Sequence, residues 1–276
     1  RYILPRHRSL VKARHPGGPG ICNSVDKTTK IEYSVFVSRR LQRGIHMDTA
    51  CDLVETICAY TTSEYQMDAA KVIVTALELA EEAHEGFARP DGTPYYFHVL
   101  NVASLLADWR APAEIVAAGL LHDSQKKYRS RNPSLEHIRA RMGKHIAELV
   151  LAVSELGKYE PYKFIDNPEL RMDETFLASY VDTRLPWIVP ALQKHPEAAI
   201  IRLASRLEKL QSWKDKSAAE RENYITATLN MFVPVANRLG MWEVKRLLED
   251  HAFRLLYPSD YQMTCERFSD ADREEH

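Results

Sequence analysis

Apolar residues recur every three or four positions along most of this chain, and this spacing constrains the fold more than any other feature. No segment alternates apolar and polar residues over the length of a strand. Two capping-box patterns, Ser63 with Gln66 and Ser217 with Glu220, indicate helix starts. Glycine accounts for only 10 of 276 residues, which disfavours all-β folds. The sequence therefore predicts an all-α protein, a multi-helix orthogonal bundle.

Helix boundaries follow from caps, breakers and periodicity between about residue 48 and residue 257. The predicted helices cover roughly 63–85, 96–108, 112–122, 217–240 and 242–256, and the last of them ends at Pro258. Two further helices are predicted between these, one opened by Asn132–Pro133 and one after Gly143. The helix after Gly143 carries on one face Ile146, Leu149, Val150, Val153 and Leu156. Five prolines between residues 158 and 196 predict a partly irregular lobe there.

The composition is that of a globular protein, with 45% hydrophobic and 27% charged residues. The longest uninterrupted apolar run, Ile115 to Leu121, has seven residues and is too short to span a membrane. None of the four cysteines forms a CxxC pair, so neither a disulfide framework nor a zinc ribbon is indicated. We therefore expect a cytoplasmic protein with reduced thiols and no membrane partner.

The net charge of −1 conceals an uneven distribution. Residues 1–44 contain ten Lys or Arg and two acids, whereas residues 259–276 contain six acids and two arginines. We interpret residues 1–45 as a basic irregular extension, 46–261 as a helical domain and 262–276 as an acidic tail. A flexible solvated arm is the favoured interpretation of the extension. The alternatives are contact with nucleic-acid or membrane phosphate, and a transit peptide.

Candidate metal ligands appear at His98 and, 24 residues later, at the adjacent pair His122 and Asp123. Two imidazoles and a carboxylate can assemble three ligands around one ion, and imidazole suits Mn, Fe, Zn or Ni. The chain contains 11 histidines, and a histidine that is hydrogen-bonded in the core is the alternative interpretation. Spacing alone leaves both interpretations open.

Four blocks resemble, in the same order, the motifs of RelA/SpoT-type hydrolase domains. They are AHEGFARPDGTPYYFHVLNVASLL (Ala83 to Leu106), AAGLLHDSQKKY (Ala117 to Tyr128), IIRLASRLEKLQS (Ile200 to Ser212) and FVPVANRLGMWEVKRLLEDHAFRLLYPSDY (Phe232 to Tyr261). The resemblance covers roughly residues 68–261. It implies an HD-type helical fold and a Mn²⁺-dependent hydrolysis that removes pyrophosphate from the 3′ position of (p)ppGpp.

Transferred onto this chain, the resemblance places three metal ligands on His98, His122 and Asp123. The fourth ligand, an Asp in the family, falls on Ser205. A nucleotide-contacting Arg of the family falls on Arg89. Three ligands are therefore retained, and the fourth is replaced by a neutral residue.

The family's Glu–Asp pair, which positions water and handles protons, falls on Lys126 and Lys127. A nucleotide-contacting Lys falls on Pro90, and an Asn and a Thr of the third block fall on Lys209 and Ser212. A lysine about 6 Å from a divalent cation costs roughly 5 kcal/mol at an effective dielectric constant of about 20. We therefore expect no efficient hydrolysis and no bound cofactor, with Mn²⁺ as the ion if one is retained.

The resulting hypothesis is a catalytically degenerate (p)ppGpp-hydrolase-like HD domain with a regulatory or protein-interaction role. It includes binding of a guanosine nucleotide without cleavage, in a metal-free anion pocket. The residues assigned to this pocket are Arg89, Lys126, Lys127, Arg206 and Lys209. For the two adjacent lysines, a solvated run of charge is the alternative.

The alternative function is an active metal-dependent guanosine-3′,5′-bis(diphosphate) 3′-pyrophosphohydrolase, or a related nucleotide phosphohydrolase, with altered ligands. Long members of the family can carry an inactive hydrolase domain ahead of a synthetase domain. Since this chain stops about 15 residues after the fourth block, we expect no synthetase activity from it.

Overall fold

Helices make up most of the part of the chain that the structure describes. The computed structural model describes residues 47–62, 64–89, 91–125, 133–160, 174–212 and 217–274. Within these ranges the only β-type pairing is an isolated antiparallel bridge between Ala88 and Pro94. The prediction of an all-α fold is confirmed.

The structure describes twelve α-helices within these ranges. In chain order they are α1 (Met47–Tyr60), α2 (Gln66–His84), α3 (Tyr96–Asp108), α4 (Ala113–Leu121), α5 (Leu135–Met142), α6 (Lys144–Lys158), α7 (Glu174–Lys194), α8 (Glu197–Ser212), α9 (Ala218–Ala227), α10 (Val233–Arg238), α11 (Trp242–Leu256) and α12 (Pro258–Glu274). A π-helical turn, Thr228–Phe232, separates α9 from α10.

The first of two compact units contains Arg1–Leu156 and Ala191–Ala204. Helix α4 packs against both α2 and α3, and α1 packs against α2 and α3. Helix α4 is buried along its whole apolar length. Gly119 permits its close approach to α3, because a Cβ atom at this position would overlap the buried side chain of Leu106. This packing fixes the C-terminal end of α4 beside α3.

The second compact unit contains Gly157–Pro190 and Ser205–His276. Helix α11 packs against α9, the π-helical turn, α10 and α12. Its buried stripe, Val244, Leu248 and Ala252, recurs every four residues. The predicted domain boundaries at residues 45 and 261 stay predictions, and residues 1–46 lie outside the described part.

One of the two predicted capping boxes is confirmed. The Ser217 side chain accepts a hydrogen bond from the Glu220 backbone N–H, and the Glu220 carboxylate accepts one from the Ser217 backbone N–H. For α2, Ser63 lies outside the described residues, and the N-cap is Tyr65 with no side-chain cap bond. The Gln66 amide instead donates to the carbonyls of Cys58 and Thr61 at the end of α1, so it joins two helices.

Several helix boundaries differ from the prediction. Ser134, rather than the predicted Asn132–Pro133, caps α5, because its side chain accepts a hydrogen bond from the His137 N–H. In the segment 158–196, which was predicted to be partly irregular, α7 is helical although it contains Pro186 and Pro190, and residues 161–173 lie outside the described residues. The helix predicted for 217–240 is interrupted by the π-helical turn.

The C-terminal region holds a helix that the sequence did not predict. Helix α12 begins at Pro258, where the preceding helix was expected to end the fold. Proline is well tolerated in the first turn of a helix, since no intrahelical acceptor is available for an N–H there. No helix of the described residues is long and apolar enough to cross a membrane.

Candidate metal centre

The retained ligand positions lie at the junction of α3 and α4. His98 is in the first turn of α3, and His122 and Asp123 directly follow α4. All three side chains are buried. The close packing of α3 on α4 therefore brings together residues that are 24 positions apart in the sequence.

The three side chains converge. One ligand atom from each of His98, His122 and Asp123 lies within 4.8 Å of the others. Asp123 Oδ2 is 3.6 Å from His98 Nε2, and Asp123 Oδ1 is 3.3 Å from His122 Nε2. The two imidazole rings meet edge to face, with centroids 5.2 Å apart. The predicted convergence of these residues is observed.

The hydrogen bond of His122 determines which of its nitrogen atoms can be a ligand. Its Nδ1 lies 2.7 Å from the Gly119 carbonyl oxygen, and because a carbonyl can only accept, Nδ1 carries the proton. In the neutral ring, Nε2 therefore presents a lone pair toward the Asp123 carboxylate. Two lone pairs at this distance repel unless a proton or a cation lies between them. The donor set fits a divalent ion of the Mn, Fe or Zn type.

The sequence interpretation missed two aromatic residues beside this triad, Tyr95 and His84. The Tyr95 hydroxyl donates a hydrogen bond to Asp123 Oδ2 at 2.5 Å. The Tyr95 ring stacks on His84 and meets His98 edge-on. Both missed residues belong to the first of the four blocks, and the placement of Tyr95 one helical turn before His98 was the available signal.

Comparison with known proteins identifies the family. A family model described as HD domain matches residues 76–242, which is more than half of the chain. The chain belongs to the HD domain family. The assembled triad and the helical fold agree with this assignment, and metal-dependent chemistry is the common use of such a site in HD hydrolases. The expectation that no metal is bound is therefore not confirmed.

Relatives of this HD domain include three named proteins. It is 31% identical to the guanosine-3′,5′-bis(diphosphate) 3′-pyrophosphohydrolase of Aquifex aeolicus over 70% of this chain and 25% of that protein. It is 32% identical to the GTP pyrophosphokinase of Streptomyces antibioticus over 68% of this chain and 20% of that protein. It is 31% identical to the bifunctional (p)ppGpp synthase/hydrolase SpoT of Escherichia coli over 72% of this chain and 26% of that protein.

These relatives confirm the resemblance to RelA/SpoT-type hydrolase domains. The HD domain spans about a quarter of the length of the relatives that it matches. The matched part is the helical region around the triad, so the shared feature is the hydrolase-like domain rather than the whole of the longer proteins.

The position that the resemblance gives to the fourth ligand is held by Ser205 of α8. Its side chain is buried, and its Oγ makes no hydrogen bond within the described part of the chain. Ser205 belongs to the second compact unit of the HD domain, whereas the triad belongs to the first. Its correspondence to a metal ligand therefore rests on the resemblance and stays a prediction.

The residues assigned to anion binding lie in different settings. Lys126 and Lys127 are outside the described residues, as is Pro90. Arg89 is half-buried in the turn between α2 and α3, and Lys209 is half-buried near the end of α8. Their shared pocket stays a prediction.

Arg206 of this HD domain is buried within the second compact unit. Its guanidinium carbon lies 3.9 Å from the ring centroids of both Tyr224 and Phe232. Its Nη2 is 3.4 Å from Glu160 Oε2. Burial raises the pKa of the neighbouring Tyr180 to about 12, although the positive charges of Arg184 and Arg206 oppose this shift. The guanidinium is therefore already held by a carboxylate and two aromatic faces.

Proposed function

We propose that this HD domain does not hydrolyse (p)ppGpp efficiently and that it has a regulatory or protein-interaction role, binding a guanosine nucleotide without cleaving it. The supporting observation is a contrast among its site residues. His98, His122 and Asp123 are retained and converge, whereas the residues at the positions of the water-activating acids are Lys126 and Lys127. The retained ligands favour metal binding, and the replacement of the acids by lysines disfavours hydrolysis of the nucleotide.

The replaced acids matter because of what a lysine cannot do. A carboxylate accepts a proton from water, whereas an ammonium group only donates. When bound, a divalent ion would polarise a phosphoryl oxygen and neutralise part of the phosphate charge. Without an acid to orient and deprotonate water, the residues of this chain would hold the substrate and leave it intact.

The missing fourth ligand, which would be a second carboxylate, weakens metal binding without abolishing it. Two neutral imidazoles and one carboxylate leave a divalent ion with a net charge of +1, whereas a second carboxylate would neutralise it. Ser205 supplies a neutral hydroxyl where the family has this second charge. We therefore expect Mn²⁺ affinity below that of an intact four-ligand site.

Phosphate recognition is proposed to involve basic side chains near the triad in sequence. Arg89 occupies an ordered turn, since its N–H donates to the Thr93 carbonyl at 2.7 Å. The Asp91 carboxylate closes the same turn by accepting from the Thr93 hydroxyl and N–H, and these bonds lower the pKa of Asp91. A guanidinium can bind phosphate oxygens in pairs, and Lys126 and Lys127 would add point charges. These groups suit the phosphates of a guanosine nucleotide.

The second candidate function is active metal-dependent 3′-pyrophosphohydrolysis. The convergence of His98, His122 and Asp123 in a buried cluster favours it, because this arrangement is suited to a hydrolytic metal. It requires another acid to replace the lost Glu–Asp pair. A turnover assay separates the two candidates directly.

The deciding experiment measures Mn²⁺ binding by isothermal titration calorimetry and pyrophosphate release from (p)ppGpp with excess Mn²⁺. We expect measurable metal binding and no metal-stimulated release. A variant with Ser205→Asp, Lys126→Glu and Lys127→Asp should bind Mn²⁺ more tightly than the unmodified protein. This gain in affinity is expected even if the variant recovers no turnover. Ready release by the unmodified protein, lost in His122→Gln, would overturn the proposal and establish the second candidate.

Nucleotide binding is tested separately by equilibrium dialysis with labelled ppGpp. We expect Lys126→Ala and Lys127→Ala, made singly, each to weaken binding, while the control Lys71→Ala does not. Lys71 is an exposed lysine of α2 that pairs with Asp68, so its removal changes the net charge by the same amount but not the proposed pocket. Equal effects of the three single changes would show that only the overall charge matters.

The partner and the location of the protein belong to the same proposal. A protein partner would be contacted by the helical domain, and the cytoplasm is the compartment proposed from the cysteine pattern. Contact of residues 1–45 with nucleic acid is the least supported part, because it rests only on ten basic residues in residues 1–44.

A further inference from the structure

Asp123 is held by a tyrosine that lies outside the ligand triad. The Tyr95 hydroxyl donates to Asp123 Oδ2 at 2.5 Å, in a part-buried position. Hydrogen bonds to a carboxylate are stronger and shorter than bonds between neutral groups. The bond occupies one lone pair of Oδ2 and leaves the remaining lone pairs of the carboxylate for other contacts.

The Tyr95 ring is fixed on two sides. His84 stacks on it with ring planes 2° apart and centroids separated by 5.5 Å. His98 meets it edge-on at 5.3 Å. His84 is itself fixed by a 2.6 Å hydrogen bond from Nδ1 to the Ala80 carbonyl of the same helix. The hydroxyl is therefore presented to Asp123 from a ring with little freedom to turn.

Backbone contacts add to this restraint. The Tyr95 N–H donates to the Phe87 carbonyl at 2.8 Å, and Tyr95 is the residue immediately before α3. The turn from α2 and the start of α3 therefore place both His84 and Tyr95. The same helix start carries His98. One local structure therefore positions both the ligand His98 and Tyr95, which contacts the ligand Asp123.

We propose that Tyr95 is a positioning residue for the metal-ligand carboxylate of Asp123, with His84 as the support of its ring. A carboxylate without this bond can rotate about its Cβ–Cγ bond. With the bond, Oδ1 stays 3.3 Å from His122 Nε2 and Oδ2 stays 3.6 Å from His98 Nε2. Partners of metal ligands commonly set ligand orientation and affinity in this way. The inference rests on the metal-binding part of the proposed function and not on whether hydrolysis occurs.

The neighbouring residue supplies a matched control. Tyr96 also has a buried hydroxyl, but this hydroxyl makes no hydrogen bond to any residue that the structure describes. Burial raises the pKa of Tyr96, and the charge of Glu81 adds to this shift. Tyr95→Phe and Tyr96→Phe therefore remove the same atom from adjacent positions, and only the first removes the bond to Asp123.

The first experiment measures Mn²⁺ affinity in the unmodified protein and in the two Phe variants. We expect Tyr95→Phe to weaken binding on the order of tenfold and Tyr96→Phe to change it by less than about twofold. The absorption spectrum of bound Co²⁺ should change only in Tyr95→Phe, because it reports the ligand geometry. Equal effects of the two variants on affinity and spectrum would overturn the inference.

The second experiment tests the bond between Tyr95 and Asp123 itself and needs no metal. A double-mutant cycle combines Tyr95→Phe with Asp123→Ala and follows urea unfolding. We expect Tyr95→Phe to lower the folding equilibrium constant about tenfold when Asp123 is present and by less than about twofold when it is absent. Absence of this coupling would overturn the inference. Hydrolysis of (p)ppGpp by the unmodified protein would overturn only the proposed function.

Discussion

Two buried polar clusters, one in each compact unit, are built on opposite principles. In the first, the lone pair of His122 Nε2 faces the Asp123 carboxylate, and His98 Nε2 lies 3.6 Å from the same carboxylate. In the second, the Arg206 guanidinium lies near Glu160 and two aromatic rings. A buried charge is tolerated when it is paired, and facing acceptors are tolerated when a cation or proton joins them. The first cluster is therefore arranged to receive a cation, whereas the second already contains one.

The largest expected effect is loss of stability in the second cluster. Glu160→Gln removes the carboxylate beside a buried guanidinium, which should cost about 3 kcal/mol of unfolding free energy. The measurement is urea unfolding followed by circular dichroism. The control is Glu249→Gln, which removes the partly exposed ion pair with Lys245 and should cost less than about 1 kcal/mol. Equal losses would show that Arg206 does not depend on Glu160.

In the first cluster we expect a smaller effect, and it should fall on Mn²⁺ affinity rather than on stability. His122→Gln should lower Mn²⁺ affinity about a hundredfold, which is about 2.7 kcal/mol, because it removes one of three ligands. Its unfolding midpoint should shift much less than that of Glu160→Gln. The exposed His137 provides the control His137→Gln, which should leave Mn²⁺ affinity unchanged. A large loss of stability in His122→Gln without a change in Mn²⁺ affinity would show that the first cluster stabilises the fold rather than binding a cation.

A paired replacement tests whether the second cluster needs its two charges. Glu160→Leu combined with Arg206→Met removes both charges of the second cluster and keeps apolar volume beside the rings of Tyr224 and Phe232. We expect a net loss of less than about 1 kcal/mol, because a neutral pair no longer carries a desolvation penalty. The same urea experiment measures it. A loss as large as that of Glu160→Gln alone would assign the stability to the contacts of Arg206 with the rings.

The smallest expected effect concerns pH. Burial lowers the pKa of His251, and Arg254 lowers it further, while Asp250 opposes the shift. Since the folded protein favours the neutral ring, this contribution to stability is present above the unfolded pKa of about 6.5 and is lost as the pH falls below it. His251→Gln should therefore flatten the stability profile between about pH 7.5 and pH 5. An unchanged profile would contradict the prediction.

The sequence predicted most of the first unit because its helices follow local rules. Helix α3 was predicted with the bounds that the structure has, since its apolar residues are periodic and a Pro–Gly turn precedes it. The three ligand positions came from motif and spacing. Tyr95 was missed because its spacing to His98 indicates only that it lies near a ligand, whereas its bond to Asp123 is a contact across 28 residues.

Predictions were weaker where proline and tertiary contacts decide the structure. In α7, Pro186 and Pro190 are four residues apart, so the carbonyl left unbonded by the second proline belongs to the first. The hydrogen bonds lost to the two prolines therefore fall within one short stretch of an otherwise continuous helix. The number of prolines alone predicts an irregular segment. Arg206 was assigned to anion binding from its charge, and its ring contacts depend on residues that are 18 and 26 positions away.

The π-helical turn has a consequence for insertions and deletions. Each residue of an α-helix advances the chain by about 100° around its axis, so a π-type turn accommodates one additional residue without lengthening the helix by a full turn. Phe232, the last residue of this turn, faces the guanidinium at 3.9 Å. Deleting one residue from Thr228–Phe232 would therefore let the turn close as regular α-helix, whereas deleting one residue from α9 or α10 would rotate the segments on either side by about 100° relative to each other. Within α9, the turn and α10, the π-helical turn is thus the place where loss of one residue changes the orientation of the flanking helices least.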